Sequence, residues 1–270
     1  MADNFKTLLD KASQTANQIW LYGWAEANAG NMSIRLDKAR LPSNFSRSSN
    51  WNSIGHKFPL ITNEFFLVSA TGSYLKNFKS RPKENLGVIQ IDSSGSRYRI
   101  VWGFENGGKP TSELFTHLFI HSVRKKIQDG CDKVVLHIHS PFIITLCLIN
   151  SLSTKKISQL FWHTHPESIL AFPEGIGFVP FEIPGSLELA KKTAELFKKH
   201  HACIWQFHGI IACGQDLDKT IGLIEIIEKL SRIYITALSA GGIHKKLTKK
   251  QVLQIADRFH LKLNGKLISR

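Results

Sequence analysis

Cysteine is scarce: Cys131, Cys147, Cys203 and Cys213 are the only four in 270 residues, and no C-x-x-C pair occurs. This count excludes a disulfide scaffold and fits reduced thiols in a cytoplasm. Long apolar runs are missing too. The longest, Phe142 to Ile149, is far shorter than the ~20 residues that span a bilayer. The opening Met1-Ala-Asp-Asn-Phe-Lys6 contains no apolar stretch, so neither a signal peptide nor a membrane partner is expected. Acidic residues are outnumbered, 21 against 35 lysines and arginines, for a net charge of +14. Such an excess suits nucleic acid, an anionic membrane or a phosphorylated substrate. The lysines fall in scattered pairs, however, such as Lys125/Lys126, Lys155/Lys156 and Lys191/Lys192. That is the pattern of solvated helix faces, and no recognition motif with interleaved aromatics accompanies it. Nucleic acid is therefore not expected as a partner.

The remaining composition, 43% hydrophobic and 21% charged, supports one large buried core, and a single α/β domain over residues 1–270 is expected. Apolar residues recur every three to four positions from Phe5 to Trp24, which predicts an amphipathic helix. A turn at Asn28-Ala-Gly-Asn31 leads into a strand over Met32–Leu36, and the Ser-, Asn- and Pro-rich stretch 37–60 reads as a long loop. Strands are expected at Phe65–Val68 and, as a hairpin, at Gly87–Asp92 and Tyr98–Trp102. Ser112 is a good N-cap for a helix over Glu113–Gln128. A buried strand Lys133–His139, helices around Ile143–Leu148, Ile157–Trp162, Leu187–Lys199, Asp218–Leu238 and Lys249–Phe259, and a strand or strand pair within Ala202–Cys213 complete the pattern. Strands flanked by helices imply a mixed central β-sheet with helices packed on it.

His137-Ile-His139 stands in this apolar strand, and residues two apart on a strand share a face, so both imidazoles can reach one ion. H-x-H alone is a weak signal, equally the mark of two strand histidines satisfied by their neighbours. A third histidine, His208 in Trp205-Gln-Phe-His-Gly209, sharpens it, because a catalytic zinc uses about three protein ligands and keeps a position open. His163-Thr-His165 has the same form but ends a helix, where i and i+2 do not share a face; it reads as surface. Glu113 at a helix start suits the helix dipole and is also a candidate reacting carboxylate. Asn28, Gly30, Asn31, Thr71, Gly72, Ser73 and Ser112 form two small polar turns and a helix start, a supply of N–H and hydroxyl donors that suits a phosphate.

Several blocks occur in order along the chain: Gly23-Trp-Ala-Glu-Ala-Asn-Ala-Gly-Asn-Met-Ser-Ile-Arg-Leu36, Val68-Ser-Ala-Thr-Gly-Ser73, Trp102-Gly103 and Pro110-Thr-Ser-Glu-Leu114. They are followed by His137-x-His139, Phe172-Pro-x-Gly-x-Gly177, Pro184-Gly185 and Phe207-His-Gly209. With this spacing, over about residues 10–260, the chain resembles the class II aldolase/adducin family. The resemblance implies a three-layer αβα fold and metal-dependent retro-aldol cleavage of a small phosphorylated sugar. It implies a zinc ion, Zn(2+), held by His137, His139 and His208, with Glu113 as the carboxylate beside it. It also implies a phosphate site from Asn28, Asn31, Ser73 and Ser112, shaped by Gly30, Gly72 and Thr111. Finally, it implies a second catalytic carboxylate, Glu167, reaching a neighbour's site in a homotetramer. Two positions depart from the family's pattern. Ala29 replaces a turn glycine, so its backbone must avoid strongly positive φ, and Tyr74 follows the Thr-Gly-Ser turn where a small residue is expected. Another phosphosugar aldolase or epimerase of the same fold, or a non-catalytic adducin-like scaffold, is the competing reading; a scaffold would be expected to have lost the three histidines.

Overall fold

The computed structural model describes residues 2–38, 41, 45, 50–127 and 129–268. The chain begins with helix α1 (Ala2–Leu21), which buries Phe5, Ala12, Ala16 and Ile19 along one stripe. Strands β1 (Asn31–Leu36), β2 (Asn52–Ser53) and β3 (Phe65–Ser69) follow, then the short helix α2 (Pro82–Asn85) and the hairpin β4 (Leu86–Ile91) and β5 (Arg97–Gly103). Helix α3 (Leu114–Ile127), strand β6 (Val134–Ile138), and helices α4 (Pro141–Ile149), α5 (Thr154–Thr164) and α6 (Glu167–Ala171) make the middle of the chain. Strand β7 (Gly177–Val179), helix α7 (Leu187–Leu196), strands β8 (Ala202–Trp205) and β9 (Gly209–Gly214), and helices α8 (Leu217–Ser239), α9 (Lys249–Arg258) and α10 (Gly265–Ile268) complete it.

The nine strands among the described residues join one mixed sheet in the order β2-β5-β4-β3-β1-β6-β9-β8-β7, antiparallel except for the β7–β8 pair. Alternation along the central strands builds layers on both faces. On β6, Val134, Leu136 and Ile138 point into the main core with α1, α4, α5 and α8. Val135 points the other way, into a second core with Ile120 of α3 and Leu189 of α7. The same switch on β3 sends Phe65 and Leu67 to the main core and Phe66 and Val68 to a third cluster with Leu114 and Leu118 of α3. Each fully buried Ile, Leu or Phe stabilises the layers by about 1.5–3 kcal/mol. The expected sheet flanked by helices is present, as three layers.

Three local expectations differ. A two-residue strand, β2, edges the sheet inside the stretch read as loop, where it pairs with β5; the rest of 37–60 lies partly outside the described residues, as does Gln128. Thr111 rather than Ser112 satisfies the start of α3: the Glu113 N–H donates to Thr111 Oγ1 at 3.3 Å and Leu114 N–H to Thr111 O at 3.0 Å. His208 lies not on a strand but in the three-residue turn between β8 and β9.

Candidate metal and substrate site

The cleft forms where the ends of β1, β6 and β9 meet the start of α3. In the β1–β6 register Asn31 stands opposite His137, and Ser33 opposite Val135. Asn31, Ser33 and His137 therefore face the α3 side of the sheet, while their neighbours Met32 and Leu136 fill the main core. Gly30 makes this close pairing possible. Its φ is +79°, and a Cβ on it would meet His137 O at 3.2 Å. The other positive φ before β1, +46°, falls on Ala27, while Ala29 has none.

Two further turns are held side by side by a bridge between Ala70 and Pro110, with the Thr71 N–H donating to Lys109 O and the Thr111 N–H to Ser69 O. Ser73 N–H donates to Ala70 O, closing a turn whose third residue is Gly72 at φ +70°; only glycine adopts that conformation readily. The result is a cleft lined by Asn28, Gly30, Asn31, Thr71, Gly72, Thr111, Ser112, Glu113, His137, His139 and His208. Ser73 is buried beside it without lining it, and Glu167 is exposed in the first turn of α6, away from it. His163 and His165 are also elsewhere: His163 Nδ1 donates to Leu247 O at 2.5 Å, and His165 Nδ1 accepts from the Glu167 N–H at 3.1 Å.

His137, His139 and His208 each present a ring nitrogen to a common point, with these three atoms within 4.8 Å of one another. His137 is buried; its Nδ1–H donates to Ile210 O at 3.0 Å, which leaves Nε2 unprotonated and without a hydrogen-bond partner. His139 Nδ1–H donates to Glu26 Oε1 at 2.8 Å, which likewise directs its Nε2 lone pair outward. His208 depends on its turn: its N–H donates to Trp205 O, Phe207 takes a φ of +62°, and Gly209 at φ +156° lets the turn press against Ile138 O. The Trp205 ring underlies both His208 (centroids 5.2 Å) and His137 (4.6 Å), and its own Nε1–H is fixed by Thr193 Oγ1 at 2.9 Å.

Glu113 is 5% exposed and faces two of these rings, Oε2 at 3.7 Å from His137 Nε2 and Oε1 at 3.8 Å from His208 Nε2. Asn31 Nδ2 donates to Glu113 Oε2 at 2.8 Å, and Asn31 Oδ1 receives His117 Nε2 at 2.6 Å. The amide expected beside a phosphate is thus engaged with the carboxylate. Burial pushes His137 down to about 3, with His139 adding to the fall, and pushes His208 down to about 4, with His137 adding. Both rings are neutral near pH 7, the form that donates a lone pair. Burial pushes the Glu26 carboxyl up, but its hydrogen bond with His139 and the neighbouring histidines outweigh this and hold it below its ordinary value.

The sequence alone did not single out Glu26, Trp205, or the pair His117 and His121. Glu26 stands in a turn with no motif of its own. His117 and His121 carried a signal: they follow Glu113 at four-residue intervals, and so lie on the same face of α3.

The chain matches the family described as Class II Aldolase and Adducin N-terminal domain over residues 11–235. A Rhamnulose-1-phosphate aldolase of Klebsiella pneumoniae (strain 342) is 33% identical over 251 residues, covering 92% of this chain and 91% of that protein. Its counterpart in Salmonella paratyphi C (strain RKS4594) is 34% identical over 249 residues, with 91% and 90% covered. Among solved structures, a sugar-phosphate aldolase from Thermotoga maritima superposes with a TM-score of 0.76 at 31% identity, covering 88% of this chain and 97% of its own. An L-fuculose 1-phosphate aldolase at 17% identity shares the fold, with a TM-score of 0.61 and 94% and 97% of the two chains covered. The layered sheet, the histidine triad and the matched length agree: this chain belongs to the class II aldolase and adducin family.

Proposed function

We propose that the protein cleaves L-rhamnulose 1-phosphate to dihydroxyacetone phosphate and L-lactaldehyde, using one zinc ion per chain. Its family and its relatives make it a lyase. The observation that carries the finer reading is the convergence of three imidazoles on a point faced by a buried carboxylate. The donor set fits a metal: His137 Nε2 is buried with no hydrogen-bond partner, and the Nδ1 atoms of His137 and His139 are tied back to Ile210 and Glu26. Neutral imidazoles without thiolates suit zinc in a catalytic site. When bound, that ion supplies Lewis-acid charge to stabilise the anion left on the three-carbon phosphate fragment as the C3–C4 bond breaks.

The chain's own groups do the rest. Glu113 returns a proton to the freed carbon in cleavage and removes it from the hydroxymethyl carbon of dihydroxyacetone phosphate in synthesis. Asn28, Gly30, Gly72, Thr111 and Ser112 surround the phosphate, with Ser73 buried behind their turn, so that binding energy remote from the reacting carbons serves to position them. Asn31 serves through Glu113, which holds its amide. Among the described residues no lysine lines the cleft, which supports metal-assisted chemistry over a Schiff base. Glu167, exposed on its own chain, exchanges a proton with the C4 oxygen in a neighbour's site within a homotetramer. The long segment between β1 and β3 and the β4–β5 hairpin favour rhamnulose 1-phosphate over its fuculose counterpart.

Elemental analysis of purified protein tests the metal half of this reading: about one zinc per chain, lost in His208→Ala. Full zinc in that variant and in a His137→Ala/His139→Ala double variant would place the metal elsewhere. Borohydride added with substrate should trap no covalent adduct, and a trapped lysine adduct would contradict the mechanism outright. L-fuculose 1-phosphate turned over faster than L-rhamnulose 1-phosphate would reverse the substrate assignment.

A further inference from the structure

Behind Glu113 a file of buried polar side chains leads away from the cleft. Asn31 bridges Glu113 Oε2 (2.8 Å) and His117 Nε2 (2.6 Å). His117 Nδ1 lies 2.7 Å from Ser33 Oγ, which lies 2.8 Å from His121 Nε2. Ser33, His117 and His121 are at most 1% exposed, and the His121 ring rests against Phe66 with centroids 4.9 Å apart. Two periodicities interlock here. Glu113, immediately before α3, and His117 and His121 on it recur every four residues, and Asn31 and Ser33 every two on the facing strand β1.

The direction of every hydrogen bond follows from the first. The Asn31 amino group donates to Glu113, so its carbonyl faces His117. His117 must then donate from Nε2–H, which leaves Nδ1 to accept from the Ser33 hydroxyl. Ser33 Oγ in turn accepts from His121 Nε2–H. Burial pushes His117 down to about 4 and His121 well below its ordinary range, so both rings are neutral and each has a single tautomer that fits. All four bonds donate toward Glu113. At the far end the His121 ring rests against Phe66, and the file's part is to orient the carboxylate.

We propose that His117 is a positioning residue for the reaction: through Asn31 it holds the Glu113 carboxylate in one orientation, and Ser33 with His121 selects the His117 tautomer that does so. This inference rests on Glu113 as the proton-transferring group.

The test compares cleavage and solvent-deuterium exchange at the hydroxymethyl carbon of dihydroxyacetone phosphate in five proteins: wild type, Glu113→Gln, His117→Leu, His117→Gln and Ser33→Ala. His117→Leu should lose about ten- to hundred-fold in kcat for both reactions, with KM and zinc content unchanged. His117→Gln sets an amide nitrogen near the place of Nε2 and should regain most of the loss. Ser33→Ala, the mildest change, should lose severalfold. Proton–nitrogen correlation spectra of the wild-type protein should show His117 as the Nε2–H tautomer from pH 6 to 8. An inactive Glu113→Gln beside a fully active His117→Leu overturns this inference alone. Wild-type exchange in Glu113→Gln overturns the reading beneath it. Should His117→Leu fail to fold, an Nδ1–H tautomer in the wild type, or an unimpaired Ser33→Ala, overturns the inference just as directly.

Discussion

Gly209 ends the turn that carries His208, and its φ of +156° is one that side-chain-bearing residues rarely adopt. A Cβ there would stand 2.2 Å from Ile138 O, where ordinary contact begins at 3.4 Å, so Gly209→Ala must open the gap by about 1.2 Å. Neither partner yields easily. Ile138 O belongs to β6, which pairs with both β1 and β9 and holds His137. The displacement therefore falls on the turn, and moves His208 away from His137 and His139. The cost of such overpacking is typically about 1–3 kcal/mol, which a core of this size survives. Metal binding is the more sensitive readout, because disturbing a ligand's support typically costs about 10–100-fold in affinity. Competition with a chromophoric chelator should show that weakening, while circular dichroism retains the folded spectrum. A Gly209→Ala protein with wild-type zinc affinity would mean that His208 is not held as a ligand by this turn, and would remove the third histidine from the argument.

Other consequences are open to measurement. Gly222 lies within α8, and a Cβ placed on it would meet nothing within 4 Å, so Gly222→Ala should raise stability by about 0.5–1 kcal/mol; a loss would reveal an unseen contact. His117 titrates at about 4 when folded against an ordinary 6.5, so the unfolded chain takes up its proton first. This group's contribution to stability is complete above pH 6.5 and is lost as pH falls toward 4, at up to ~1.4 kcal/mol per pH unit. Urea unfolding between pH 7 and 4.5 should therefore show a shallower slope in His117→Gln than in the wild type, and equal slopes would contradict the shift. Glu167→Ala should slow cleavage at least about tenfold with zinc retained, and mixing it with Glu113→Ala subunits should restore activity. A monomer in solution, or no recovery after subunit exchange, would exclude a shared site.

Much of this was legible in the sequence because two periodicities announce themselves. The period of two running off the end of β6 is enough to set His137 and His139 on one face, and the period of three to four from Phe5 to Trp24 is enough for α1. What escaped depended on turns and on contacts distant in sequence. His208 sits between two apolar strands so close in sequence that the turn Gln206-Phe207-His208 passes for part of one long strand. Asn31 carried the composition of a phosphate turn, yet its register opposite His137 aims its amide at Glu113. The Ser112 expectation failed because Ser and Thr stood together, and only the backbone decides which caps. Glu26 supports His139 from a turn 113 residues away in sequence, and nothing in Gly23-Trp-Ala-Glu-Ala marks it.

Metal-assisted cleavage of a ketose phosphate by the three histidines and Glu113 is open to one decisive assay. Purified protein is incubated with L-rhamnulose 1-phosphate before and after treatment with a chelator, and dihydroxyacetone phosphate is followed by a coupled reduction. Activity that chelation abolishes and that one equivalent of zinc restores, in the wild type but not in His208→Ala, is the predicted result. Cleavage that persists in full in the metal-stripped protein, or none at all in the zinc-loaded wild type, would contradict it.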